Sequence, residues 1–577
     1  MNSLLRNLFL AAACLLPAVH AALALDGQTG QWGDQGDGTF RNPVLSGDFS
    51  DPDPIRVGDD YYMVSSTFAG SPGIPVLHSK DLVNWKPIGA VIQDLTVLGP
   101  GFSWKRMDRY GVGIYAPTIR FHDGKFWVFV NCYSGEGFFC CTATDPAGPW
   151  TVTQIRDKNG KPLRTHAWTD PCPFWDDDGK AYLASSRPGR EWFSYLFEMS
   201  PDGTQLLDAD VDKMNVPDVK YAYPDGGTLF SPFQSSEGNK IFKRNGYYYL
   251  IHIEFLDAGQ GKGTYVFRSK NLFGTKPDGT PGKPGDPGAY EIHRFGPVGP
   301  GFYGQEIPGQ GGLVDTPDGR WFWLAQFNQL VSDGRTSHLL PVEWIDDWPV
   351  PGVGIKDRQG KFAWRLPKPV PGHPVVYPFG GDTFESPVLH PQWQWNHQPR
   401  ADKWSLTERP GFLRLHAFPP LVQGKFFKAG NTVCQRHFRS DLTRTVAKLD
   451  LDGMADGQEA GLAHFNGGSN CASLAVRDKA EKKLLKFEED GQVLWGPELP
   501  EKTSAIWISS SAGADEVCRF DYSLDGKTFI PFGGSYKLKP GGYRGDMVGV
   551  FTFNDLGEAG YVDVDAFEYH TRNAPPR

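Results

Sequence analysis

The sequence lacks long hydrophobic runs, an excess of positive charge and the common nucleophile and nucleotide-binding motifs. Its 577 residues include 58 Lys and Arg against 67 Asp and Glu, for a net charge of −9. Because no basic excess is available to pair with phosphates, a nucleic-acid-binding role is disfavoured. No Gly-x-Ser-x-Gly elbow and no phosphate-binding loop occur, which argues against a serine hydrolase and a nucleotide-dependent enzyme.

Repeats of the fibrous type are also missing. The absence of a heptad pattern and of a Gly-X-Y period excludes a coiled coil and collagen, and an aromatic content of 14% excludes a disordered chain. The chain is too long for one ordinary core. The 69 glycines and 47 prolines, together with the aromatics, indicate many short strands joined by turns, and hence an all-β protein.

The N-terminus has the features of an export signal. Arg6 precedes an apolar run over residues 8–19, which is too short to span a bilayer, and Ala22-Leu23-Ala24 offers a cleavage site. We predict a signal peptide at residues 1–24 and a secreted or periplasmic protein with no membrane partner; the alternative is a buried N-terminal helix.

Cysteine is scarce beyond that segment. Seven cysteines remain, an odd number, and none has CxxC or Cys/His metal-binding spacing. We interpret them as small buried residues rather than as a disulfide scaffold.

A turn followed by an aromatic-rich strand recurs five times. Asp-Gly or Asn-Gly between apolar runs is a strong hairpin signal. Five repeats at intervals of 55 to 73 residues predict a five-bladed β-propeller over residues 38–348, with a β-sandwich array as the alternative. The repeats are centred on Tyr61, Phe126, Ala181, Tyr248 and Trp321.

Polar residues lie at a similar distance before each repeat centre. The spacing is ten residues for Asp51 and eleven for Tyr115, Asp170, Glu237 and Gln310. Equivalent positions of a propeller converge on its axis, so three carboxylates and two polar groups are expected at one end of the channel. The shorter first spacing predicts a bulge or a different turn in the first repeat.

Three carboxylates in one pit suit acid/base chemistry. Their repulsion separates their pKa values, so that one group stays ionised while another holds a proton, as the cleavage of an acetal requires. A Ca²⁺ site is the rival use of clustered carboxylates, and the spacing alone leaves both open.

The last third of the chain differs in composition. Residues 349–379 are rich in proline and predict a stiff linker, and residues 380–577 contain short alternating strands that predict a second β-sandwich domain.

Several motifs resemble those of glycoside hydrolase family 43. The likeness begins at Asn42-Pro-Val-Leu-Ser-Gly-Asp-Phe-Ser-Asp-Pro-Asp-Pro54 and continues through Ser66-Thr-Phe68, Tyr115-Ala-Pro-Thr-Ile-Arg120, Thr169-Asp-Pro171, Glu237-Gly238 and Gly334-Arg-Thr336. These motifs cover most of residues 40–350 in the expected order. The resemblance implies a five-bladed propeller and hydrolysis with inversion of the anomeric centre.

The resemblance also implies roles for single residues. Asp51 matches the general base, Glu237 the general acid, and Asp170 the carboxylate that raises the pKa of the acid and orients it. Arg335 matches an arginine that binds the substrate. Phe68, Tyr115 and Trp104 are candidate walls of the sugar subsite.

Four other acids in the region compete with the assigned carboxylates, and one position differs from the family pattern. Asp53 competes with Asp51 for the role of base, whereas Glu254, Glu306 and Glu343 are interpreted as surface or supporting groups. Gln310 stands where many family members have a metal-ligating histidine, and its alternative role is to fill the channel. We therefore predict no metal ligand among the site residues and no required cofactor, and we regard an axial Ca²⁺ as disfavoured.

The second domain is similar to the C-terminal concanavalin A-like (jelly-roll) sandwich of family β-xylosidases, as in Trp393-Gln-Trp-Asn-His-Gln-Pro399. The resemblance implies an exo-acting β-xylosidase on xylan-derived oligosaccharides, with α-L-arabinofuranosidase or another exo-glycosidase activity on hemicellulose or pectin side chains as the alternative. A silent carbohydrate-binding protein and a retaining fructosidase-type propeller are further alternatives. The intact acid trio argues against the first, and the Asp-Pro-Asp-Pro opening argues against the second.

Overall fold

The computed structural model describes residues 32–187, 193–216, 220–230, 236–255, 262–295, 309–328, 332–352, 365–466, 470–513, 515–539, 541 and 544–571. The predicted signal peptide, residues 1–24, lies outside them. Among the described residues, helix is confined to short segments between β-strands. These are α1 (Val211–Met214) and the 3₁₀ turns Leu95–Val97, Pro100–Phe102, Ala401–Lys403 and Phe426–Lys428.

Five four-stranded antiparallel sheets form the first domain, preceded by the short strands β1 (Gly33–Asp34) and β2 (Thr39–Arg41). Each sheet is built from four consecutive strands, and we call these sheets blades 1 to 5. The strands are β3 (Asp53–Val57), β4 (Asp60–Val64), β5 (Gly73–Ser79) and β6 (Lys86–Ile92) in blade 1; β7 (Ile114–His122), β8 (Lys125–Cys132), β9 (Gly137–Ala143) and β10 (Thr151–Gln154) in blade 2; β11 (Thr169–Trp175), β12 (Ala181–Arg187), β13 (Phe193–Met199) and β14 (Thr228–Leu229) in blade 3; β15 (Ser236–Arg244), β16 (Tyr247–Phe255), β17 (Lys262–Ser269) and β18 (Glu291–Arg294) in blade 4; β19 (Gly311–Asp315), β20 (Trp321–Asn328), β21 (Arg335–Ile345) and β22 (Trp348–Pro351) in blade 5.

The blades are arranged in a ring. The first strand of each blade is innermost: β3 contacts β7, β7 contacts β11, β11 contacts β15, and β19 contacts β3. Strands such as β8, with the sequence Lys-Phe-Trp-Val-Phe-Val-Asn-Cys, are buried almost throughout, as expected where sheets are covered on both faces. The predicted five-bladed propeller is confirmed.

Each repeat centre is the first or second residue of the second strand of its blade, just after the hairpin turn. The repeat centre Tyr61 pairs with Arg56 in blade 1, and Ala181 pairs with Trp175 in blade 3. The turn that joins the two paired residues is one residue longer in blade 3. Counted from these partners, Asp51 and Asp170 lie equally far upstream. The ten-residue spacing of Asp51 therefore comes from its shorter turn, and a bulge in blade 1 is not needed.

Among the innermost strands, bulges occur in blades 2, 3 and 4. The ladder shifts register between Tyr115 and Thr118 in blade 2, between Thr169 and Cys172 in blade 3, and between Glu237 and Lys240 in blade 4. Each shift falls at the channel end of an innermost strand, where a bulge can re-aim a side chain.

The N-terminal segment closes the ring against blade 5. Val44 N donates to Ser337 O at 2.9 Å, and the Asn42 side chain exchanges two hydrogen bonds with the backbone of Leu339. Strand β2 then pairs with both β1 and β23 (Arg365–Pro367), which binds the start of the domain to a segment that follows blade 5. Of the predicted linker, residues 353–364 lie outside the described part.

Two antiparallel sheets form the second domain. One sheet has seven strands and the other has eight. Side chains such as Leu462 and Ile508 fill the core between the sheets, and the predicted sandwich is confirmed. Its strands are β24 (Gln394–Trp395), β25 (Trp404–Ser405), β26 (Leu413–His416), β27 (Val433–Arg436), β28 (Leu442–Asp450), β29 (Gln458–Phe465), β30 (Cys471–Lys479), β31 (Lys482–Glu489), β32 (Gln492–Glu498), β33 (Ala505–Gly513), β34 (Val517–Ser523), β35 (Ile530–Pro531), β36 (Tyr536–Lys537), β37 (Met547–Asn554) and β38 (Tyr561–Thr571).

The domains contact each other at the side of blade 1. Ser71 N donates to Trp395 O at 3.0 Å, and Arg436 Nε donates to Asp48 O at 2.7 Å. The seven cysteines after the predicted signal are all buried and unpaired. Within the described ranges, no helix is both long and apolar enough to cross a membrane.

Candidate active site

Unusual backbone geometry marks the channel end of four blades. The φ angles are +53° at Asp51, +35° at Ala116, +53° at Asp170 and +73° at Gly238. Left-handed conformations cost free energy at residues other than glycine and persist only where the surroundings enforce them. These residues follow or precede the start of the innermost strands, so the chain kinks where the predicted acids lie.

Asp51 is buried and accepts hydrogen bonds at both carboxylate oxygens. Arg335 Nη1 donates to Oδ1 at 2.9 Å, and Ser66 Oγ donates to Oδ2 at 2.5 Å. The Asp51 backbone amide donates to Gln326 Oε1 at 2.7 Å. Ser66 Oγ itself accepts from the Ala116 amide at 2.7 Å, which directs its single proton towards Asp51.

Asp170 is buried beside Glu237. Thr169 Oγ1 donates to its Oδ1 at 2.7 Å, while the Gly238 amide and Gln310 Nε2 donate to its Oδ2. These bonds favour the ionised form, but burial and the negative charge of Glu237 outweigh them and raise the pKa of Asp170 to about 7. Asp170 therefore exchanges a proton near neutral pH.

Glu237 lies one residue before the left-handed Gly238 and is only partly buried, whereas Asp51 and Asp170 are buried. Its charge acts on Asp170 and also on Arg335. The amide of Gly238 is bonded to Asp170, so the backbone next to Glu237 is held by the neighbouring carboxylate. Glu237 is the acid of the trio that remains accessible from the channel mouth.

Arg335 begins β21 and joins the base side of the site. Burial would lower its pKa, but Asp51 and Asp48 raise it, so the guanidinium is firmly charged. It lies 5.7 Å from the ring centre of Phe68, and that ring meets Tyr115 edge-to-face at 4.9 Å. The Tyr115 hydroxyl donates to Gly111 O at 2.7 Å.

The two other predicted residues take different positions. Gln310 is buried, and its amide nitrogen lies 3.4 Å from Asp170 Oδ2, so it belongs to the acid cluster. Trp104 contacts the second domain: its ring lies 6.2 Å from the ring of Phe418 and 4.8 Å from the guanidinium of Arg400. Trp104 thus lies at the interface between the domains.

Asp53 is committed to structural contacts. Its Oδ2 accepts from the Ile119 amide and from Arg120 Nη1, both at 2.8 Å, and its Oδ1 lies 3.3 Å from Lys240 Nζ. Two cations from blades 2 and 4 therefore hold this buried carboxylate within the ring. These contacts leave Asp51 as the better candidate for a base.

The remaining acids lie elsewhere or outside the described part. Glu254 is buried on β16, with Oε1 3.0 Å from His252 Nε2. Glu343 is exposed on β21 opposite Val350, at the outer side of blade 5. Glu306 falls outside the described residues.

The sequence did not single out several residues of the site. Ser66 has no sequence signal beyond its place in the motif Ser66-Thr-Phe68, and Gln326 lies inside strand β20 without a turn signal. Arg544 of the second domain donates to Thr67 O at 3.2 Å and lies 5.6 Å from the Phe68 ring. Arg544 could not have been found from local sequence, because it reaches the site only through the packing of the two domains.

The arrangement can carry out acid/base chemistry at a bound sugar. One carboxylate is paired with an arginine on blades 1 and 5, and two carboxylates adjoin each other on blades 3 and 4. Blades 1 and 4 are not neighbours in the ring, so Asp51 and Glu237 flank the channel mouth from different sides.

Two family models match the chain. Residues 40–349 match the model described as "Glycosyl hydrolases family 43", and residues 381–570 match the "Beta xylosidase C-terminal Concanavalin A-like domain". The first match covers more than half of the chain.

Individual proteins are similar over most of the sequence. A protein named "Beta-xylosidase" from Formosa agariphila is 34% identical, with 94% of this chain and 92% of that protein covered. A "Non-reducing end alpha-L-arabinofuranosidase" from Bacteroides ovatus is 30% identical over 79% of this chain and 77% of its own. Among solved structures, a bifunctional GH43-CE protein from Bacteroides eggerthii superposes with a TM-score of 0.73 at 26% identity. The alignment spans 94% of this chain but 64% of that one.

Proposed function

The chain belongs to glycosyl hydrolases family 43 and is a glycoside hydrolase, and we propose that it releases terminal xylose from xylan-derived oligosaccharides with inversion. The observation that carries the proposal is the convergence of Asp51, Asp170, Glu237 and Arg335 at one end of the channel. Arabinofuranose is the second candidate sugar.

We assign Asp51 as the general base. An inverting glycosidase activates a water molecule on one face of the sugar with a carboxylate. The ion pair with Arg335 and the hydroxyl of Ser66 fix the Asp51 carboxylate from two sides, which leaves its remaining lone pairs for the water. The proton of the water passes to Asp51 as the oxygen attacks the anomeric carbon.

Glu237 is assigned as the general acid. It donates a proton to the leaving oxygen as the glycosidic bond breaks, so the two proton transfers balance. Asp170 supports this role because it is buried beside Glu237 and binds the Gly238 amide. The two adjoining carboxylates resist joint ionisation, so the pair holds one proton near neutral pH, and that proton is available to the leaving oxygen.

Support for an exo-acting site comes from the second domain. Arg544 lies against Phe68 and Thr67, at the side of the pocket formed by Asp51 and Arg335. A pocket bounded there accepts the end of a chain rather than its middle. Arg335 would bind hydroxyls of the terminal sugar, with Phe68 and Tyr115 as walls.

The choice of sugar rests on the similar proteins. The relative from Formosa agariphila is named a β-xylosidase and that from Bacteroides ovatus an α-L-arabinofuranosidase. The extent and identity of the match favour the first, and hemicellulose is accordingly the proposed source of substrate.

We further propose that the protein is exported and that hydrolysis needs no metal cofactor. Export rests on the sequence features of residues 1–24. The second point rests on Gln310 and Gly238, which direct hydrogen-bond donors rather than acceptors at Asp170.

Variants of the two assigned carboxylates test the mechanism. Asp51→Asn and Glu237→Gln should each lose most of kcat while the melting temperature changes little. Glu237→Gln should retain more activity on activated aryl glycosides than on xylobiose, since good leaving groups need little protonation. Glu343→Gln, an exposed acid on the outer side of blade 5, is the matched control and should keep full activity.

Two outcomes would contradict the assignment. Near-normal turnover by Asp51→Asn would exclude it as the base, and equal losses on activated and poor leaving groups would exclude Glu237 as the acid. A panel of nitrophenyl β-xyloside, α-arabinofuranoside and β-galactoside with xylobiose and xylan decides the sugar. Binding of xylobiose without any cleavage would instead support a carbohydrate-binding protein.

A further inference from the structure

A second cluster of chemically active side chains lies in the β-sandwich, away from the propeller axis. His437 follows β27, His464 is on β29, and Asp546 precedes β37. In the seven-stranded sheet these strands are adjacent, in the order β27-β37-β29. The three side chains are therefore brought together by pairing of segments far apart in sequence.

The cluster has the ligand types and spacing of a transition-metal site. One ligand atom from each of the three residues lies within 4.8 Å of the other two, and the residues are 1 to 3% exposed. Zinc binds imidazole nitrogen and carboxylate oxygen at about 2.0–2.2 Å, which puts neighbouring ligand atoms of a tetrahedral site roughly 3.3 Å apart. Small side-chain adjustments would reach that spacing.

Two of the potential ligand atoms have no hydrogen-bond partner. His437 Nδ1 and Asp546 Oδ1 are buried and unsatisfied, and the hydroxyl of Tyr536 is likewise. A buried polar atom without a partner costs about 1–3 kcal/mol, so each of these atoms calls for an explanation such as a bound ion or water molecule. Asp546 also acts on Tyr536: burial first, and then this carboxylate, raise the pKa of the phenol.

The third ligand, His464, is oriented by a hydrogen-bond partner outside the cluster, as metal-binding histidines usually are. His464 Nε2 lies 2.9 Å from Ser510 Oγ, which in turn lies 2.6 Å from Thr445 Oγ1 on the opposite sheet. This contact leaves Nδ1 of His464 directed at Asp546 Oδ2, 2.5 Å away. A metal ion would replace the proton shared by these two atoms.

We propose that His437, His464 and Asp546 bind one Zn²⁺ ion, or a similar first-row divalent ion, as a structural site of the second domain. Two imidazoles with one carboxylate suit zinc rather than Ca²⁺ or Mg²⁺, which prefer oxygen ligands throughout. Tyr536 or a water molecule would complete the coordination.

The position of the site gives it a structural consequence. The Asp546 amide donates to Ser332 O at 2.7 Å, and the His437 amide donates to Asp546 O at 2.9 Å. Ser332 lies three residues before Arg335. A bound ion would thus fix the segment of the sandwich that supports the arginine-bearing loop of blade 5.

Metal content and thermal stability of the full chain test the site. Protein stripped with a chelator, then incubated with one equivalent of Zn²⁺ and desalted, should retain one zinc ion per chain and melt at a higher temperature. His437→Gln should lose both the ion and the zinc-dependent shift, since its Nδ1 has no other partner to lose. His397→Gln, a buried histidine of the same domain outside the cluster, is the matched control and should retain zinc.

The catalytic carboxylates are the competing place for a divalent ion. Asp51→Asn should therefore keep its zinc. The inference is wrong if the wild-type chain retains no zinc, if His437→Gln retains as much as wild type, or if Asp51→Asn loses it. The wild-type measurement stands without any variant, and a Co²⁺-loaded wild-type protein should show the visible absorption of tetrahedral coordination; octahedral bands would also overturn the proposal.

Discussion

At the scale of single residues, the three carboxylates of the active site differ in what touches them. Asp51 accepts hydrogen bonds from a guanidinium and a hydroxyl. Asp170 accepts them from a hydroxyl, a backbone amide and a side-chain amide, whereas Glu237 is partly exposed. Environment therefore assigns different tasks to chemically similar groups, as paired carboxylates in hydrolases require.

Ser66 is a positioning residue for Asp51, and its removal tests this role. Ser66→Ala loses the hydrogen bond to Asp51 Oδ2, and bonds to charged groups contribute about 1.5–3 kcal/mol, so kcat should fall roughly 10- to 100-fold. Ser65→Ala is the matched control, because Ser65 Oγ donates to the backbone oxygen of Ser50 instead. Equal kcat values for the two variants would refute the role, and so would an unchanged pH profile in Ser66→Ala.

Asp170 makes the stability of the enzyme depend on pH. The pKa of its carboxyl is 3.8 in the unfolded chain and about 7 in the folded protein, because it is buried beside Glu237. The folded state therefore binds more protons between these values, and the free energy of unfolding falls as pH rises through the window. Below about pH 4 both states are protonated and the contribution is fully present.

Asp170→Asn removes this titration. Its free energy of unfolding relative to wild type should increase as pH rises from about 4 to about 7, as measured by urea unfolding at several pH values. Parallel pH curves for the two proteins would contradict the raised pKa.

At the scale of elements, the bulges at the channel ends of β11 and β15 set the directions of the acids. The left-handed residue in β15 is Gly238, whose amide reaches Asp170. A side chain there would strain the backbone and meet Gln310 Cγ at 3.3 Å. Gly238 is therefore placed next to Glu237, Asp170 and Gln310 at once.

Gly238→Ala should lower both activity and stability. The left-handed conformation costs a non-glycine residue roughly 1–2 kcal/mol, and displacement of Gln310 and Asp170 should reduce kcat further. Gly246→Ala is the control, since Gly246 has a φ of +77° in the hairpin of the same blade and open space around it. Gly246→Ala should lose a similar amount of stability and keep the wild-type kcat. Equal losses of kcat in the two variants would show that backbone strain alone accounts for the effect of Gly238→Ala.

Sequence patterns predicted the blades better than the positions within them. The Asp-Gly and Asn-Gly turns lie at hairpin tips because these residues accept left-handed conformations. Residue counts to Asp51 and Asp170 differ because turn lengths differ between blades 1 and 3. The bulges, and the hydrogen bond between the Asp51 amide and Gln326, depend on contacts between blades, so they could not be predicted from local sequence.

At the scale of the whole molecule, the sandwich supports the loop that carries Arg335. Asp333, two residues before Arg335, is fully buried and accepts from Arg439 Nε at 3.2 Å and from Ser46 Oγ at 2.6 Å. Arg439 belongs to the second domain. The active site is thus assembled by both domains, although its three acids all come from the propeller.

Arg439→Met should weaken the contact between the domains. It leaves the buried Asp333 carboxylate without its cation, a change that costs about 3–5 kcal/mol for buried pairs. We expect a lower melting temperature and a raised KM, because the loop with Arg335 loses support. Arg477→Met, which removes an ion pair within the sandwich, should leave KM unchanged, and the same KM in both variants would contradict the coupling.

The proposed mechanism depends on the placement of Asp51 and Glu237 on different sides of the channel mouth, and the anomeric form of the first product tests this placement most directly. Proton NMR of nitrophenyl β-xyloside hydrolysis, recorded at high enzyme concentration before mutarotation, should show α-xylose appearing first, because water attacks from the Asp51 side as Glu237 releases the leaving group. Initial appearance of β-xylose would mean retention and would contradict the assignment of the two carboxylates.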